Sequence, residues 1–474
     1  MWGIPTVLAR LATNAAALAI GGVVAQVAFI SVEIVIAREL GAADYGVFAT
    51  IQAFALANLI ILDLGMTWWA IESGSRKPET IAELLGTTMV LKLLGFAVLY
   101  PLASLGLLLL GYDERTIEFF LIFFLYSLMM AMQDSLSAVY TARQRMVVNA
   151  LYQGGAALVI AVLVVAAIVL GAGLNGVGFG YLAGGLLVTL VWAAQTSRTE
   201  KPRVRLAATR EILRGSYLYG FTGLLVHIFR RGDILLLSVL TSMPQVGIYA
   251  AGSKLLDLAY KVPMVGALVV SPTMFQQSQT NDVLYRRSAD LFVRVNTAAG
   301  LLLALTCYHG AQWLIRLIFG TGYGQAAIVL QVLSTSFVLK FLSYALQTVL
   351  TTRGQHAFRT SVLAISTAVA AVAYCVLIPL YGAVGAAISV VLAETVLVIL
   401  YLRGIADSLL RLELAKRSIA AAVAFGAGVL IPVILGITGP LGSMLGVVAC
   451  FVALFLTRYT TMSELALIGR RRAA

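Results

Sequence analysis

Residues 227–275 read HIFRRGDILLLSVLTSMPQVGIYAAGSKLLDLAYKVPMVGALVVSPTMF. Two apolar segments, each long enough to cross a membrane, meet there at a short polar turn. Both carry charge inside the apolar run: Arg230, Arg231 and Asp233 in the first, Lys254, Asp257 and Lys261 in the second. A charge at membrane depth costs about 2.5–3.5 kcal/mol even on lenient insertion scales. A chain that keeps several there either buries them in pairs or lines a wet cavity with them.

Working outward, the same apolar character covers the whole chain. Of its 474 residues 61% are hydrophobic and 11% charged, with a mean hydropathy of +0.96. Soluble domains carry about 25% charged residues. The apolar runs are about 20 residues long rather than alternating short strands, which specifies an all-α integral membrane protein. The net charge of +12 belongs to basic loops and does not call for nucleic acid. Cys307, Cys375 and Cys450 fall in apolar runs with no ligand or disulfide spacing and read as small core residues. The run after Arg10 continues to about Ile36, too long for a signal peptide and suited to a first span.

About fourteen transmembrane helices are predicted, at 11–36, 43–66, 81–110, 117–141, 147–170, 174–195, 213–240, 246–275, 290–310, 325–351, 359–379, 383–403, 416–436 and 440–458. With the N-terminus inside, 24 of the 33 Lys and Arg fall in or beside cytoplasmic segments and three outside, namely Arg38, Arg115 and Arg316. That asymmetry gives the orientation, and it supports the span count, because one missed helix would invert every later loop. The remaining six, Lys92, Arg230, Arg231, Lys254, Lys261 and Lys340, lie within spans. The longest connection, Thr196 to Ile212, leaves no room for a soluble catalytic domain.

The two halves repeat. Asp44-Tyr-Gly-Val-Phe-Ala49 lines up with Gln245-Val-Gly-Ile-Tyr-Ala250, Tyr140-Thr-Ala-Arg143 with Leu350-Thr-Thr-Arg353, and Leu174-Asn-Gly-Val-Gly178 with Tyr381-Gly-Ala-Val-Gly385. Both halves start in the cytoplasm, so the repeat is parallel, about a pseudo-two-fold along the membrane normal. The expected organisation is an N-terminal six-helix lobe (1–200), a cytoplasmic linker (201–212) and a C-terminal six-helix lobe (213–410). Two additional helices and a basic tail follow (411–474).

Arg38-Glu-Leu-Gly-Ala-Ala-Asp-Tyr-Gly-Val-Phe, Asp233 with Val246-Gly-Ile-Tyr-Ala-Ala, Leu317-Ile-Phe-Gly-Thr-Gly-Tyr and Tyr381-Gly-Ala-Val-Gly-Ala-Ala together resemble the polysaccharide flippase family. That family lies within the multidrug/oligosaccharidyl-lipid/polysaccharide exporter superfamily. The resemblance spans about residues 10–460. It implies two lobes around a central cavity, alternating access, and export of an undecaprenyl-pyrophosphate-linked glycan.

No catalytic motif, phosphate-binding loop or metal spacing is present in the sequence, so no cofactor is expected. The span charges carry the functional reading. Lys254, Asp257 and Lys261 share one helical stripe, interrupted by Pro263; His227, Arg230 and Arg231 share another. Lys92 lies about eleven residues into its span and Lys340 about fifteen, both near mid-membrane. These six cations are the candidate substrate ligands, for a pyrophosphate entering a wet cavity. The alternative is neutral scaffolding, in which they pair with Glu33, Asp63, Asp134, Asp233, Asp257 and Glu394. Glu33, Asp63, Asp233 and Asp257 are the candidates for H+ or Na+ coupling.

The expected function is that of an inner-membrane lipid-linked oligosaccharide flippase, not an enzyme, serving O-antigen, capsule or exopolysaccharide biosynthesis. Its partners would be the lipid-linked glycan, membrane lipids, and a polysaccharide polymerase with its assembly proteins, and no nucleic acid. A cation-coupled multidrug exporter and a lipid II flippase are the alternatives within the superfamily. The topology is checked by single-cysteine labelling with an impermeant reagent. Residue 203 is expected to be protected from outside and residue 244 to react; the reverse pattern overturns the orientation.

Overall fold

The computed structural model describes the backbone of residues 4–437, 439–457 and 459. It describes side chains from residue 20 onward, apart from 222, 225, 229 and 230 within that backbone. The basic tail beyond 459 and the side chain of Arg230 therefore lie outside the described residues. By internal contacts the chain divides into two compact units, Met1–Val239 and Leu240–Ala474.

The first unit holds α1 (Ile4–Asp63), α2 (Met66–Arg76), α3 (Ile81–Leu109), α4 (Glu114–Ala142), α5 (Met146–Val169), α6 (Gly173–Ser197) and α7 (Thr209–Leu240). The second holds α8 (Met243–Ala259), α9 (Lys261–Thr280), α10 (Asp282–Phe319), α11 (Ala326–Thr352), α12 (His356–Gly404), α13 (Ser408–Ile434) and α14 (Gly439–Leu456). Among the described residues eleven segments are long and apolar enough to cross a membrane. Two of these are double passes broken at Gly41 (φ 78°) and Gly382 (φ 55°), backbone angles that a side chain would oppose. With those divided, and with charge-bearing α7 counted, the fourteen expected passes are accounted for. The repeat assigns α7 to the second half of the chain, whereas its contacts group it with the first unit.

Outward-facing leucine, valine and isoleucine are abundant, from Leu109 on α3 to Ile434 on α13. In lipid these surfaces gain nothing by burial, so cohesion falls to close backbone approach and aromatic packing. On α6, Gly180 and Gly184 let the helix lie against Val164 and Ile160 of α5; a Cβ at Gly180 would come within 2.9 Å of the Val164 Cα. Beside them Phe48, Phe123, Tyr126 and Tyr181 pack ring against ring, joining α1, α4 and α6. The long midpoint connection is laid on α3. Arg203 N–H donates to Ala82 O (2.9 Å), Arg205 N–H to Thr87 Oγ1 (3.0 Å), and Gly86 leaves room for the Arg203 backbone.

In the second unit ion pairs tie helix ends together. Arg286 Nε meets Asp407 Oδ2 at 2.6 Å and Arg353 meets Asp282 at 2.7 Å. Asp407 also accepts from the N–H groups of Leu409 and Leu410, capping α13. Partial burial opposes ionisation of that carboxyl, but the Leu410 N–H and Arg286 together hold it below the usual carboxylate range.

Two helices differ informatively from the sequence reading. The pass expected at 290–310 is the 38-residue α10, because polar and charged ends such as Arg286 and Arg316 extend the helix past its apolar middle. The pass at 246–275 is split into α8 and α9 at Tyr260. Pro263 has no N–H and crowds the carbonyl four residues earlier, at Ala259, so the ladder opens there.

Replacing Gly180 by Val is expected to overpack the α5–α6 contact and cost about 1–3 kcal/mol. A thermal-unfolding midpoint of the purified protein equal to wild type would show that the helices do not rely on this approach.

Candidate functional site

Asp63 is the last residue of α1. Leu64 (φ 43°) and Gly65 (φ 78°) turn the chain through left-handed backbone, and Leu64 holds that conformation with a side chain that disfavours it. The backbone of α7 closes over this turn, since a Cβ at Gly220 would lie 2.6 Å from the Leu64 carbonyl carbon. The turn brings Thr67 back onto Asp63. The Thr67 N–H donates to Asp63 Oδ1 (3.2 Å) and its hydroxyl donates to the same oxygen in a very short contact.

Lys92 of α3 completes the cluster. Its side chain is fully buried, with Nζ 2.7 Å from Asp63 Oδ1, 3.0 Å from Thr67 Oγ1 and 3.1 Å from the Ala131 carbonyl of α4. The three N–H bonds of the ammonium thus have three oxygen acceptors. Asp134, one turn along α4 from Ala131, lies within electrostatic reach of both Lys92 and Asp63.

The second unit solves the same problem with different helices. Lys340 of α11 places Nζ 2.7 Å from Glu394 Oε1 of α12, and Ser343 donates to Glu394 Oε2 at 3.2 Å. Glu394 is 3% exposed. The ammonium also stands 5.5 Å from the ring centroid of Tyr260, the residue at the α8–α9 break, and Tyr260 packs edge-on against Tyr344. Asp257 is within electrostatic reach of Lys340.

For Lys92 and Lys340, therefore, pairing with a carboxylate is what the side chains do, Lys92 fully buried and Lys340 partly so. Glu33 is buried and accepts from Gln52 Nε2 at 3.3 Å. Arg231 and Asp233 on α7 and Lys254 and Asp257 on α8 are half-buried, Lys261 opens α9 exposed, and all five are engaged with neighbours. Arg230 lies outside the described side chains. His227 is buried on α7. Thr67, the Ala131 carbonyl, Ser343 and Tyr260 were not foreseen. Thr67 could have been found four residues after Asp63, across a glycine, but a backbone carbonyl leaves no mark in sequence.

Long kinked helices in two units, each setting a lysine against an acid within a span, make a multi-pass membrane protein. The chain belongs to the polysaccharide biosynthesis protein family, whose model matches residues 11–278. It is 20% identical over 382 residues to the probable low-salt glycan biosynthesis flippase Agl15 of Haloferax volcanii, covering 77% of each chain. Among solved structures it resembles the lipid II flippase MurJ in its inward closed conformation, with a TM-score of 0.70 and 10% identity over 93% of this chain and 97% of that one. It also resembles an inward-facing multidrug resistance MATE family transporter of the MOP superfamily, with a TM-score of 0.58 and 14% identity over 84% and 96%.

Glu394→Leu alone is expected to strand the Lys340 ammonium and cost about 3–5 kcal/mol, and Lys340→Met with Glu394→Leu to recover most of it. Thermal unfolding of the purified single and double variants measures this. Additive losses would show that the pair is not coupled.

Proposed function

We propose that the protein is a flippase that carries an undecaprenyl-pyrophosphate-linked oligosaccharide across the cytoplasmic membrane by alternating access, for assembly of cell-surface polysaccharide. The lipid tail stays in the bilayer while the head group passes through the protein. Both termini are cytoplasmic, the protein acts as a transporter rather than an enzyme, and the flipped glycan is handed to a polymerase and its assembly proteins.

The observation that carries the reading is Lys261. It is exposed, and it stands eighteen residues into the 38-residue run of α8 and α9, directly after the break at Tyr260. An ammonium at that depth needs water or an anion beside it. Lys254 lies on the same run, and Arg230 and Arg231 lie on α7. A glycan pyrophosphate brings about two negative charges to the membrane interior, and leaving them unpaired there is prohibitive. Arginine suits bidentate phosphate binding and lysine a point charge. Lys92 and Lys340 would reach substrate only by leaving their carboxylates, and they serve the framework in this reading. Glu33, Asp63, Asp233 and Asp257 remain the candidates through which H+ or Na+ drives the cycle. The glycan-flippase relative supports the substrate class.

Lys261→Gln and Lys254→Gln are expected to reduce surface glycan sharply at equal protein level in the membrane, while Lys261→Arg keeps part of the activity. Unchanged glycan display in the single and double variants overturns the pyrophosphate reading. Altered drug resistance in the same variants would replace it with a drug exporter.

A further inference from the structure

The acceptors around Lys92 Nζ are all oxygens, and they differ in kind: a carboxylate (2.7 Å), a hydroxyl (3.0 Å) and a backbone carbonyl (3.1 Å). That is the donor set of a hard cation rather than of a thiophilic or imidazole-seeking metal. With one carboxylate in direct contact, the charge suits a monovalent ion.

The oxygens are also positioned without help from the lysine. The Thr67 hydroxyl spends its proton on Asp63, which turns its lone pairs toward Nζ. The Thr67 N–H donates to the same Asp63 oxygen, and the Leu64–Gly65 turn sets the two residues against each other. Ala131 lies in the middle of α4 and is fully buried. Asp134 lies within electrostatic reach of the same point.

We propose that Lys92 is a built-in counter-ion occupying an alkali-cation site made by Asp63, Thr67 and the Ala131 carbonyl, and that removing its ammonium turns this place into a binding site for Na+ or K+. In the intact protein the site is filled by a cation that cannot diffuse away, so a sodium gradient has nothing to act on there. Among the coupling candidates Asp63 is then left to H+ alone, and any Na+ coupling falls to Glu33, Asp233 or Asp257. Lys340 meets the Glu394 carboxylate and the ring of Tyr260, and it serves as the contrast. The inference does not depend on what the protein transports.

The test is thermal unfolding of the full-length purified protein in NaCl, KCl or choline chloride at equal ionic strength. A ligand that binds only the folded state raises the midpoint as its concentration rises. Lys92→Ala is expected to show an upward shift in NaCl or KCl relative to choline chloride. Wild type, Lys340→Ala and Lys92→Ala with Asp63→Asn are expected to lack this added shift. Lys92→Ser is the second variant should the alanine protein not be recovered, since serine also vacates the ammonium position and leaves a small polar group. The proposal is overturned if the Lys92 variants show no alkali preference. It is equally overturned if wild type or Lys340→Ala shows the same preference, because the effect would then not belong to the vacated site.

Discussion

The Nζ of Lys92 lies 2.7 Å from Asp63 Oδ1 with no exposure at all, in a protein whose outer surface is hydrocarbon-facing leucine, valine and isoleucine. Much of the first unit follows from keeping that charge neutral. The carboxylate has to arrive at the end of α1, which requires the helix to stop there. The stop is made by left-handed backbone at Leu64 and Gly65, a costly conformation for leucine. The turn is held by α7, whose Gly220 admits the close approach. The strain thus sits directly after the acid that pairs with the buried charge.

The second unit meets the same constraint by another route. Its paired lysine is on α11 and its acid on α12, and the aromatic neighbour is Tyr260, where Pro263 opens the helix ladder. The repeat that relates the halves carries the framework of helices and turns, whereas the charge positions differ. Lys92 sits on the third pass of its half and Lys340 on the fourth of its own. A buried ion pair can move between neighbouring helices so long as cation and acid move together, because electrostatic neutrality is local and the packing of glycines and rings around it is not altered.

Under the proposed function these two pairs belong to the framework rather than to the substrate path. Lysines withdrawn behind carboxylates hold helices together, while Lys254 and Lys261 lie along a broken pass, with Lys261 exposed. In a transporter, rigid units and the elements that change shape need different chemistry. Satisfied ion pairs suit the first, and a helix interrupted by proline with charge on either side of the break suits the second.

The sequence alone determined the number of passes and most of their limits. The pass read at 81–110 is α3 (Ile81–Leu109), and that at 147–170 is α5 (Met146–Val169). Hydropathy is a sum over neighbouring residues, so it is legible wherever the chain is apolar, and it erred where polar ends lengthened α10. Glycine and proline marked breaks for the same local reason. The partners of the buried charges were decided only by tertiary structure. Sequence spacing offers partners three or four residues away on the same helix, such as Lys254 with Asp257. Lys92 instead reaches back 29 positions to Asp63, and Lys340 reaches 54 ahead to Glu394. Which helix lies beside which is set by the packing of all of them at once, and no local pattern along the chain encodes it.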